Sequence, residues 1–591
     1  MTESRFDPIA LAIISSRLEG VVRSMRNTLT RASRSGVVNI ARDFSCCIVS
    51  ADDEILQWAE SLPIQVLCGP ELMARSMKQF HHRLSRGDAF LHNSPYDGAT
   101  HAADHSILIP VIDDSGRHQY TVVARAHQAD CGNATPTAYA ATARDVYEEG
   151  ALIFPCVRAQ QDYVDSEDLI RTCRLRIRVP DQWWGDYLAL VGSARIGERQ
   201  MLALGEELGW DVLEDFTREW LNYSERMMAE AIGRLPAGRV TVETRHDPIP
   251  GLPEGIPIQA TLAIDPAAGR IEVDLRDNLD CLPCGLNLSE STARAAVLIG
   301  IFNSLDHRVP PNGGSARRVS VLLRENCVVG IPRHPASCSV ATTNVFDRLA
   351  NAVQRGIAEL AAGYGMAEVG LSLPASVSVI SGNDPRRAGA PFINQLILAW
   401  TGGPGGPAED GWLTMGGPGD GGALLRDSVE IDELKHPIVV WEQRLLPDTE
   451  GAGRRRGAPS AYGEFGPLDT RIEAFFLSDG TVNPPVGVRG GHAGGRASQF
   501  LRGVEGELKP LDLCGSVVVE AGERLVSVST GGGGYGPPHE REPDRVAQDV
   551  REGWITPARA AGVYRVAVSD AGVIDEAGTR ALRATVDERS Q

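Results

Sequence analysis

The sequence predicts a mixed α/β (α+β) chain of several domains, helix-rich in its N-terminal half and strand-rich in its C-terminal half. The chain has 591 residues, more than a single hydrophobic core usually organises. Apolar residues recur at helical spacing over 8–32, 65–85 and 165–235, and from Gly238 they alternate with polar residues as in strands. We therefore expect domains at 1–237, 238–470 and 471–591.

In the N-terminal half, the apolar spacing over 8–32 predicts an amphipathic helix. A helix that faces the core is the simpler interpretation, and a helix that binds a partner is the alternative. A short strand is predicted over 43–49, a helix over 65–85, and mostly helical structure over 165–235.

In the C-terminal half, three alternating segments from Gly238 onward predict an antiparallel sheet. Helices are expected over 289–304 and 345–363, and strands return after residue 471. The other expected segments are glycine-rich loops at 400–425 and 451–465 and a short helical tail at 543–563.

The most informative segment is a predicted β-hairpin. Residues 105–112 and 118–126 are short runs rich in Ile and Val, joined by the turn sequence DDSGR. In simple hairpin register, Asp104 lies opposite Ala126, and His127 comes one residue further on. His101 precedes the first strand, so two imidazoles and a carboxylate would meet at one end of the hairpin.

Imidazole and carboxylate ligands suit Zn, Mn or non-haem Fe, so these residues predict a metal site. The alternative is a polar loop whose His and Asp side chains bond only to backbone. His105 and Asp130 are reserve candidates, although His105 should point to the opposite face from Asp104 because side chains alternate along a strand.

Composition excludes several classes of function. The formal net charge of −19 argues against nucleic-acid and membrane-surface binding. No apolar run is long enough to span a bilayer, and the first residues do not resemble a secretory signal, so we expect a cytoplasmic protein. The lysines, Lys78, Lys435 and Lys509, fit neither a P-loop nor a Schiff-base site, so ATP and NAD binding by this chain are not expected.

Cysteines and glycines give weaker signals. The 11 cysteines follow no disulfide framework, which indicates reduced thiols, and the single Cys281-x-x-Cys284 motif more often marks a loop than a redox or zinc site. The glycines at 531–534 could cradle a phosphate. A tight turn packed against another backbone is the better interpretation, because no lysine or helix start completes a phosphate site.

Several segments together resemble the hydantoinase B/oxoprolinase family, and the resemblance covers nearly the whole chain in order. The segments are DFSCCIVS (43–50), GDAFLHNSPYDGATHAADH (87–105), RAHQADCGN (125–133), EEGALIFP (148–155), PPNGGSARRVSV (310–320), EQRLLPDTEGAGRRRG (442–457) and STGGGGYGPP with DRVAQDVREGWIT (529–556). The family includes the B-type components of ATP-dependent N-methylhydantoinases, part of 5-oxoprolinases, caprolactamase, and components of acetone and acetophenone carboxylases.

The resemblance implies one component of a hetero-oligomeric, ATP-dependent enzyme. A hydantoinase A-type ATPase partner would bind ATP and phosphorylate a carbonyl of a small cyclic amide or ketone, and this chain would complete the hydrolysis or carboxylation. It also implies a divalent metal (Mn, Zn or Fe) held by Asp43, His101, Asp104 and His127.

Acid–base candidates follow from the same resemblance. Asp130 could orient His127 or serve as a general base, and Glu148 and Glu149 are weaker candidates that could instead form a solvated turn.

The chain departs from the family pattern at Gln65, Ser94 and Gln128, where His, Asp and His are usual. These departures leave the exact substrate open. We weigh a cyclic-amide hydrolase first, and a ketone carboxylase or a non-catalytic scaffold for the ATPase as alternatives. An Fe oxygenase with two His and one carboxylate is a further, weaker alternative.

Overall fold

A computed structural model describes residues 6–587 of the chain. Its helices, in chain order, are α1 (Pro8–Ala32), α2 (Gly36–Asn39), α3 (Pro63–Val66), α4 (Pro70–Phe80), α5 (Val146–Glu149), α6 (Glu167–Arg176), α7 (Pro180–Leu208), α8 (Trp210–Gly233), α9 (Glu290–Phe302), α10 (Gly313–Ala316), α11 (Val345–Leu360), α12 (Val429–Lys435), α13 (Pro543–Arg551), α14 (Pro557–Arg559) and α15 (Glu576–Asp587). Within these residues, no helix is both long and apolar enough to cross a bilayer.

The strands form four sheets, which confirms the mixed α/β class. In chain order they are β1 (Phe44–Ser50), β2 (Ile55–Trp58), β3 (Ala89–His92), β4 (Asp104–Ile112), β5 (His118–His127), β6 (Val157–Gln161), β7 (Val164–Asp165), β8 (Gly238–His246), β9 (Ile256–Asp265), β10 (Arg270–Asp274), β11 (Val319–Leu322), β12 (Val379–Asp384), β13 (Ala390–Gln395), β14 (Ile438–Leu445), β15 (Ala461–Pro467), β16 (Ile472–Leu477), β17 (Ser498–Arg502), β18 (Leu508–Pro510), β19 (Cys514–Val519) and β20 (Arg524–Val528).

The N-terminal sheet has the order β2-β1-β5-β4-β3-β6-β7, with the predicted hairpin at its centre. Its strands are apolar on both faces because both faces are covered. Ile107 and Val122 pack towards α1 and α7, whereas Leu108 and Val123 pack towards α4. This alternation is the ordinary geometry of a strand, and it fixes which hairpin residues can share a face.

The predicted helices of this half are largely confirmed. The helix over 8–32 matches α1 and buries its apolar stripe in the core, and 165–235 forms α6, α7 and α8. The single helix expected over 65–85 is confirmed over Pro70–Phe80 and is wrong at its ends. The chain forms α3 and then α4, because Gly69 adopts a left-handed backbone (φ +120°) and Pro70 starts a new helix.

The second sheet has the order β11-β10-β9-β8, and α11 packs on it. The three antiparallel strands predicted after Gly238 are confirmed as β8, β9 and β10, and β11 adds to them in parallel. The predicted helices over 289–304 and 345–363 correspond to α9 and α11. One core cluster runs from this sheet to Leu62, Trp400 and Leu477, so side chains from all three predicted domains contribute to it.

The C-terminal sheets have the orders β13-β12-β16-β19 and β14-β15-β20-β17-β18, which confirms strands after 471. The tail expected over 543–563 forms α13, α14 and a π-helical turn, and α15 extends beyond it. The loop expected over 451–465 is too long by a few residues, because β15 begins at Ala461. The glycines at 531–534 pack against other backbone, as predicted: a Cβ on Gly532 would lie 1.9 Å from the Gly403 carbonyl oxygen.

Candidate metal centre

The hairpin brings Asp104 and His127 directly opposite each other. The predicted register was one residue off, because a β-bulge lies between Val111 and Ile112 near the turn. From Val111 back to Asp104, every pairing is shifted by one residue, so that Asp104 rather than Ala103 faces His127. Directly opposed side chains on one face are close enough to interact.

His101 completes a cluster of three buried side chains. Its Nε2 atom lies 3.3 Å from Asp104 Oδ1, and His127 Nδ1 lies 3.4 Å from the same oxygen. The two imidazole rings are stacked, with centroids 5.2 Å apart. Tyr139 stacks on His127 at 5.3 Å, so an aromatic ring holds the imidazoles from one side.

The hydrogen bonds of this cluster fix the orientation of its ligands. His101 Nδ1 donates to the Ser339 carbonyl oxygen at 2.8 Å, which leaves the lone pair of a neutral ring on Nε2. Thr100 Oγ1 donates to Asp104 Oδ2. Asp104 Oδ1, His101 Nε2 and His127 Nε2 are buried and have no hydrogen-bond partner in the described structure.

Such unpaired ligand atoms fit a divalent cation. Buried polar groups are almost always hydrogen-bonded, yet these three atoms are not. One ligand atom from each of the three residues also lies within 4.8 Å of those of the other two. Burial works to raise the pKa of Asp104, but His101 and His127 outweigh it and hold that pKa well below its usual range. Asp104 is therefore a carboxylate, and two nitrogen ligands with one carboxylate suit Zn, Mn or Fe.

Asp43 adds a second carboxylate to the same cavity. It immediately precedes β1, and its carbonyl oxygen accepts a hydrogen bond from the His127 N–H at 3.0 Å. Its Oδ1 accepts from Gln65 Nε2 at 2.8 Å. Burial, and then the charges of Asp104 and Asp420, raise the pKa of Asp43 well above its ordinary value. A bound cation would relieve this repulsion between carboxylates.

The cavity that these residues surround is small, about 30 Å³. Distant parts of the chain complete its lining, and sequence reasoning did not find them. Tyr139 and Asp420 are the missed polar residues of most interest. An acid flanked by glycines, as in GGPGDGG, is the signal that could have pointed to Asp420. The lining residues are Asp43, Leu62, Ile64, Gln65, His101, Asp104, His127, Tyr139, Thr342, Thr343, Leu373, Gln395, Trp400, Asp420 and Leu424.

The three acid–base candidates do not line this cavity. Asp130 is buried and accepts hydrogen bonds from the backbone and the guanidinium of Arg178. Glu148 forms a surface pair with Arg144. Glu149 is buried, and burial raises its pKa.

Glu149 nevertheless connects to the metal ligands. Its Oε2 accepts from Ser337 Oγ at 2.6 Å, and Ser337 Oγ accepts from the Ser339 N–H at 3.3 Å. Ser339 carries the carbonyl that orients His101. The reserve candidate His105 points away, as expected, and its Nδ1 accepts from Trp183 Nε1 at 3.3 Å on the α7 side of the sheet.

Comparison with known proteins assigns the chain to a family. The model of the hydantoinase B/oxoprolinase family matches residues 7–538. The chain belongs to the hydantoinase B/oxoprolinase family.

Three relatives illustrate the range of this family. The beta component of caprolactamase from Pseudomonas jessenii is 28% identical over 585 residues, covering 98% of this chain and 99% of that protein. The B component of a putative D-/L-hydantoinase from Pseudomonas sp. (strain NS671) is 27% identical, with 98% of each covered. The delta component of acetophenone carboxylase from Aromatoleum aromaticum is 24% identical, covering 95% of this chain and 86% of that protein.

The fold of the family is preserved. The crystal structure of ATP-dependent caprolactamase from Pseudomonas jessenii matches with a TM-score of 0.88 and 27% identity, covering 98% of this chain and 100% of that chain. By their names, the relatives are subunits of multi-component enzymes: an ATP-dependent caprolactamase, a putative hydantoinase and an acetophenone carboxylase.

Of the three departures from the family pattern, one contacts a candidate ligand. Gln65 is buried and donates to Asp43. Ser94 donates to Asp97 at 2.7 Å, and Gln128 donates to the Ala126 carbonyl at 3.3 Å. Gln65 therefore occupies the position where a change of residue bears most directly on the metal centre.

The cysteines form no cluster with these ligands in the described structure. All 11 are free, and each is buried except Cys281, which is partly exposed. Burial raises the pKa of the Cys284 thiol to about 11, so it is a poor nucleophile at neutral pH.

Proposed function

We propose that this chain is the metal-dependent catalytic subunit of a two-component, ATP-dependent cyclic amidase. It would open a hydantoin- or lactam-type ring after an A-type ATPase partner has phosphorylated the ring carbonyl. Asp43, His101, Asp104 and His127 would hold the divalent metal. The family assignment and the caprolactamase and hydantoinase relatives support this reaction class.

One observation carries the proposal: His101, Asp104 and His127 each present a buried atom with no hydrogen-bond partner in the described structure, and one ligand atom of each lies within 4.8 Å of those of the other two. Leaving such atoms unpaired costs about 1–3 kcal/mol each. A bound divalent ion would satisfy them, and would lower the pKa of a bound water and polarise a carbonyl oxygen.

The chain's own residues supply orientation and proton exchange. The Ser339 carbonyl holds His101 with its Nε2 lone pair available, and Gln65 holds Asp43. Without a metal, enclosure raises the pKa of Asp420 to about 7. A cation bound in the same cavity would lower that pKa, so the carboxyl can release a proton when the metal binds and act as a proton acceptor afterwards. We assign Asp420 this proton-exchange role in the cavity, and Glu149 the role of positioning His101 through Ser337 and Ser339.

The division of labour with a partner follows from the chemistry of the amide bond. Amide resonance makes a ring carbonyl a poor electrophile, and phosphorylation of its oxygen removes that resonance. The sequence offers no P-loop or dinucleotide motif for ATP. A separate ATPase would supply the phosphoryl group, which makes a hetero-oligomer in the cytoplasm the expected working form.

Carboxylation of a phosphorylated ketone is the second candidate function. The 24% identical acetophenone carboxylase component favours it. It would use the same residues with bicarbonate as co-substrate, so dependence on bicarbonate separates the two reactions.

The first experiment measures metal content by elemental analysis after purification without chelator. We expect about one equivalent of Mn, Zn or Fe in the wild type and little in His101→Ala/Asp104→Ala. His118→Ala/Asp113→Ala, at the turn end of the same hairpin, is the matched control and should retain its metal. The wild type, mixed with its partner and ATP, is then assayed for ring opening of hydantoin and caprolactam and for ketone carboxylation. A metal-free wild type, or ring opening undiminished in the ligand variant, would contradict the proposal.

A further inference from the structure

A groove outside the metal-site cavity gathers positive charge. Its volume is about 520 Å³, within the range of pockets that take small organic ligands. Four guanidinium or ammonium groups and two carboxylates line it, which leaves a formal charge of +2 in a chain whose net charge is −19. We call this space the cationic groove, after its basic lining residues Arg34, Arg178, Arg387, Lys435 and His436.

The two carboxylates of the groove are already paired with arginines that lie outside its lining. Asp181 accepts a hydrogen bond from Arg174 at 2.6 Å. Asp384 accepts one from Arg386 at 3.0 Å. The negative charges of the lining are therefore compensated without the basic residues of the groove.

The basic residues are only partly compensated in return. Arg178 lies 3.1 Å from Asp130, and Arg387 approaches Asp384 no closer than 3.8 Å. Arg34 and Lys435 form no ion pair with any described residue. An anion in the groove would relieve the repulsion among these cations.

The first turn of α7 forms another part of the lining. This helix of 29 residues begins at Pro180, and no side chain caps it. The N–H groups of Asp181 and Gln182 make no hydrogen bond to described residues, as is usual for the first turn of a helix. Both residues line the groove. The N-terminus of a long helix carries partial positive charge and favours anions.

His436 adds an unpaired buried side chain. It is 8% exposed and lines the groove, yet its ring forms no hydrogen bond to any described residue, and Nδ1 is fully buried. Burial and the neighbouring cations lower its pKa to about 4, so the ring is neutral at pH 7. Buried polar groups are almost always hydrogen-bonded, which indicates that a ligand in the groove is the missing partner.

The groove also lies near the metal centre. Phe392 of β13 lines the groove, and Gln395 at the end of the same strand lines the metal-site cavity. At about 3.3 Å per residue, these two positions are about 10 Å apart. The Phe392 ring, 5.4 Å from that of His436, gives the groove an apolar face beside its cations.

We infer that the cationic groove is a binding site for a phosphate group. Its preference for an anion rests on the groove alone. The choice of phosphate deepens the proposed function and rests on it, because in that reaction the ring arrives phosphorylated and phosphate leaves. The group has two sources, a phosphorylated ring and free phosphate, and both present the same tetrahedral anion to the arginines, the lysine and the N–H groups.

The first test is isothermal titration calorimetry of the full chain without partner or ATP. The probes are inorganic phosphate and phenyl phosphate, a stable monoester that carries a ring, at fixed ionic strength. Both should bind the wild type, and Arg34→Gln/Lys435→Gln should weaken binding about 100-fold, since hydrogen bonds to charged groups are the strong ones.

Arg117→Gln/Lys509→Gln is the matched control. It removes two exposed cations outside the groove and changes the net charge by the same amount, so binding should match that of the wild type. No binding of either probe, or equal weakening in the two double variants, would overturn the inference.

The second test locates the bound anion by NMR of protein with isotope-labelled histidine rings. The signal of His436, assigned from its loss in His436→Gln, should move when phosphate is added. The signal of His118, at the turn end of the metal-site hairpin and outside the groove, should stay. If His436 does not move, or if both signals move equally, phosphate binds elsewhere and the inference fails.

The two probes also identify the source of the phosphate group. Phenyl phosphate bound about tenfold more tightly than phosphate would assign the groove to a phosphorylated ring, whose apolar part Phe392 would cover. Equal affinities would assign it to free phosphate. A hexaglutamate peptide that binds more tightly than both probes would instead assign the groove to an acidic polypeptide and overturn the inference.

These tests separate failure of the phosphate site from failure of the proposed function. If the wild type carries its metal but binds neither probe, the groove inference fails and the metal centre stands. If the wild type is metal-free yet binds phosphate at His436, the proposed function fails and the anion site stands.

Discussion

Replacement of Asp104 by Asn is the sharpest perturbation of the metal centre. The amide has nearly the same shape as the carboxylate and can still accept the hydrogen bond from Thr100. It removes the negative charge that faces both imidazoles at 3.3 and 3.4 Å. Structure should change little while metal affinity falls, so a loss of binding reports on the site rather than on folding.

The size of the effect follows from ligand linkage. Metal present at about 100 times its Kd stabilises the folded state by about 2.7 kcal/mol. Unfolding entropy is about 2.1 cal/mol/K per residue, or about 1.2 kcal/mol/K for 591 residues, so metal should raise Tm by about 2 °C. Loss of outer-shell partners alone weakens metal sites by about 10–100-fold. Loss of a charged ligand should lower the metal affinity by at least about 100-fold. At the same metal concentration, the metal-induced rise in Tm would then be only about 0.3 °C.

The assay is differential scanning calorimetry of metal-stripped protein with and without Zn²⁺ or Mn²⁺, backed by equilibrium dialysis. Asp113→Asn is the matched control. Asp113 lies at the turn end of the same hairpin, where its carboxylate accepts from Ser115 and Gln119. The control should lower Tm yet keep the full metal-induced rise. The reasoning is refuted if Asp104→Asn keeps the wild-type rise, or if both variants lose it equally.

Three further predictions address positioning, folding and thiol exposure. Glu149→Gln should weaken metal binding about 10–100-fold through the serines that orient His101, whereas Glu148→Gln should not change it; equal dialysis curves would refute this. Asp479→Asn removes the nearer of two carboxylates from the buried Arg348 and leaves Asp247 at 3.9 Å. It should cost about 3 kcal/mol at pH 7 by urea unfolding, the lower end for a broken buried pair. Arg348 outweighs burial and lowers the pKa of Asp479. The difference in unfolding free energy between wild type and variant should therefore shrink as pH falls below about 4, and a difference that stays constant with pH would contradict this reasoning. Native protein should react rapidly with Ellman's reagent at one thiol, Cys281, and Cys281→Ser should abolish that phase; several fast thiols would contradict the burial of the rest.

Local pattern was enough to predict much of the fold. The apolar residues of α1 recur at helical spacing, and those of β8 to β10 alternate with polar residues. Each pattern marks one buried face and can be read directly from the sequence. The helix expected over 65–85 was predicted to begin too early because its apolar spacing continues across Gly69 and Pro70. The parallel pairing of β11 with β10 depends on contacts between residues about 50 apart in the chain, and a single local pattern does not report such pairings.

The metal centre was predictable only where its residues lie close in sequence. His101, Asp104 and His127 belong to one hairpin, so strand geometry could gather them, although the bulge near the turn shifted the register by one residue. Asp43 came from the family resemblance. Tyr139, Ser339 and Asp420 reach the site from loops and long-range packing, for which neither periodicity nor spacing gives a position.

The composition of the cavity argues for function over stability. Asp43, Asp104 and Asp420 share one small, largely apolar-walled space, where burial of like charges opposes folding. Hydrophobic residues of similar volume would usually be as stable there or more so. The fold brings carboxylates and imidazoles from distant segments to one point and leaves ligand atoms of the cluster unpaired in the described structure. This arrangement is locally destabilising. Local violations of packing rules of this kind are expected at functional sites, and a divalent cation is the partner that would offset this one.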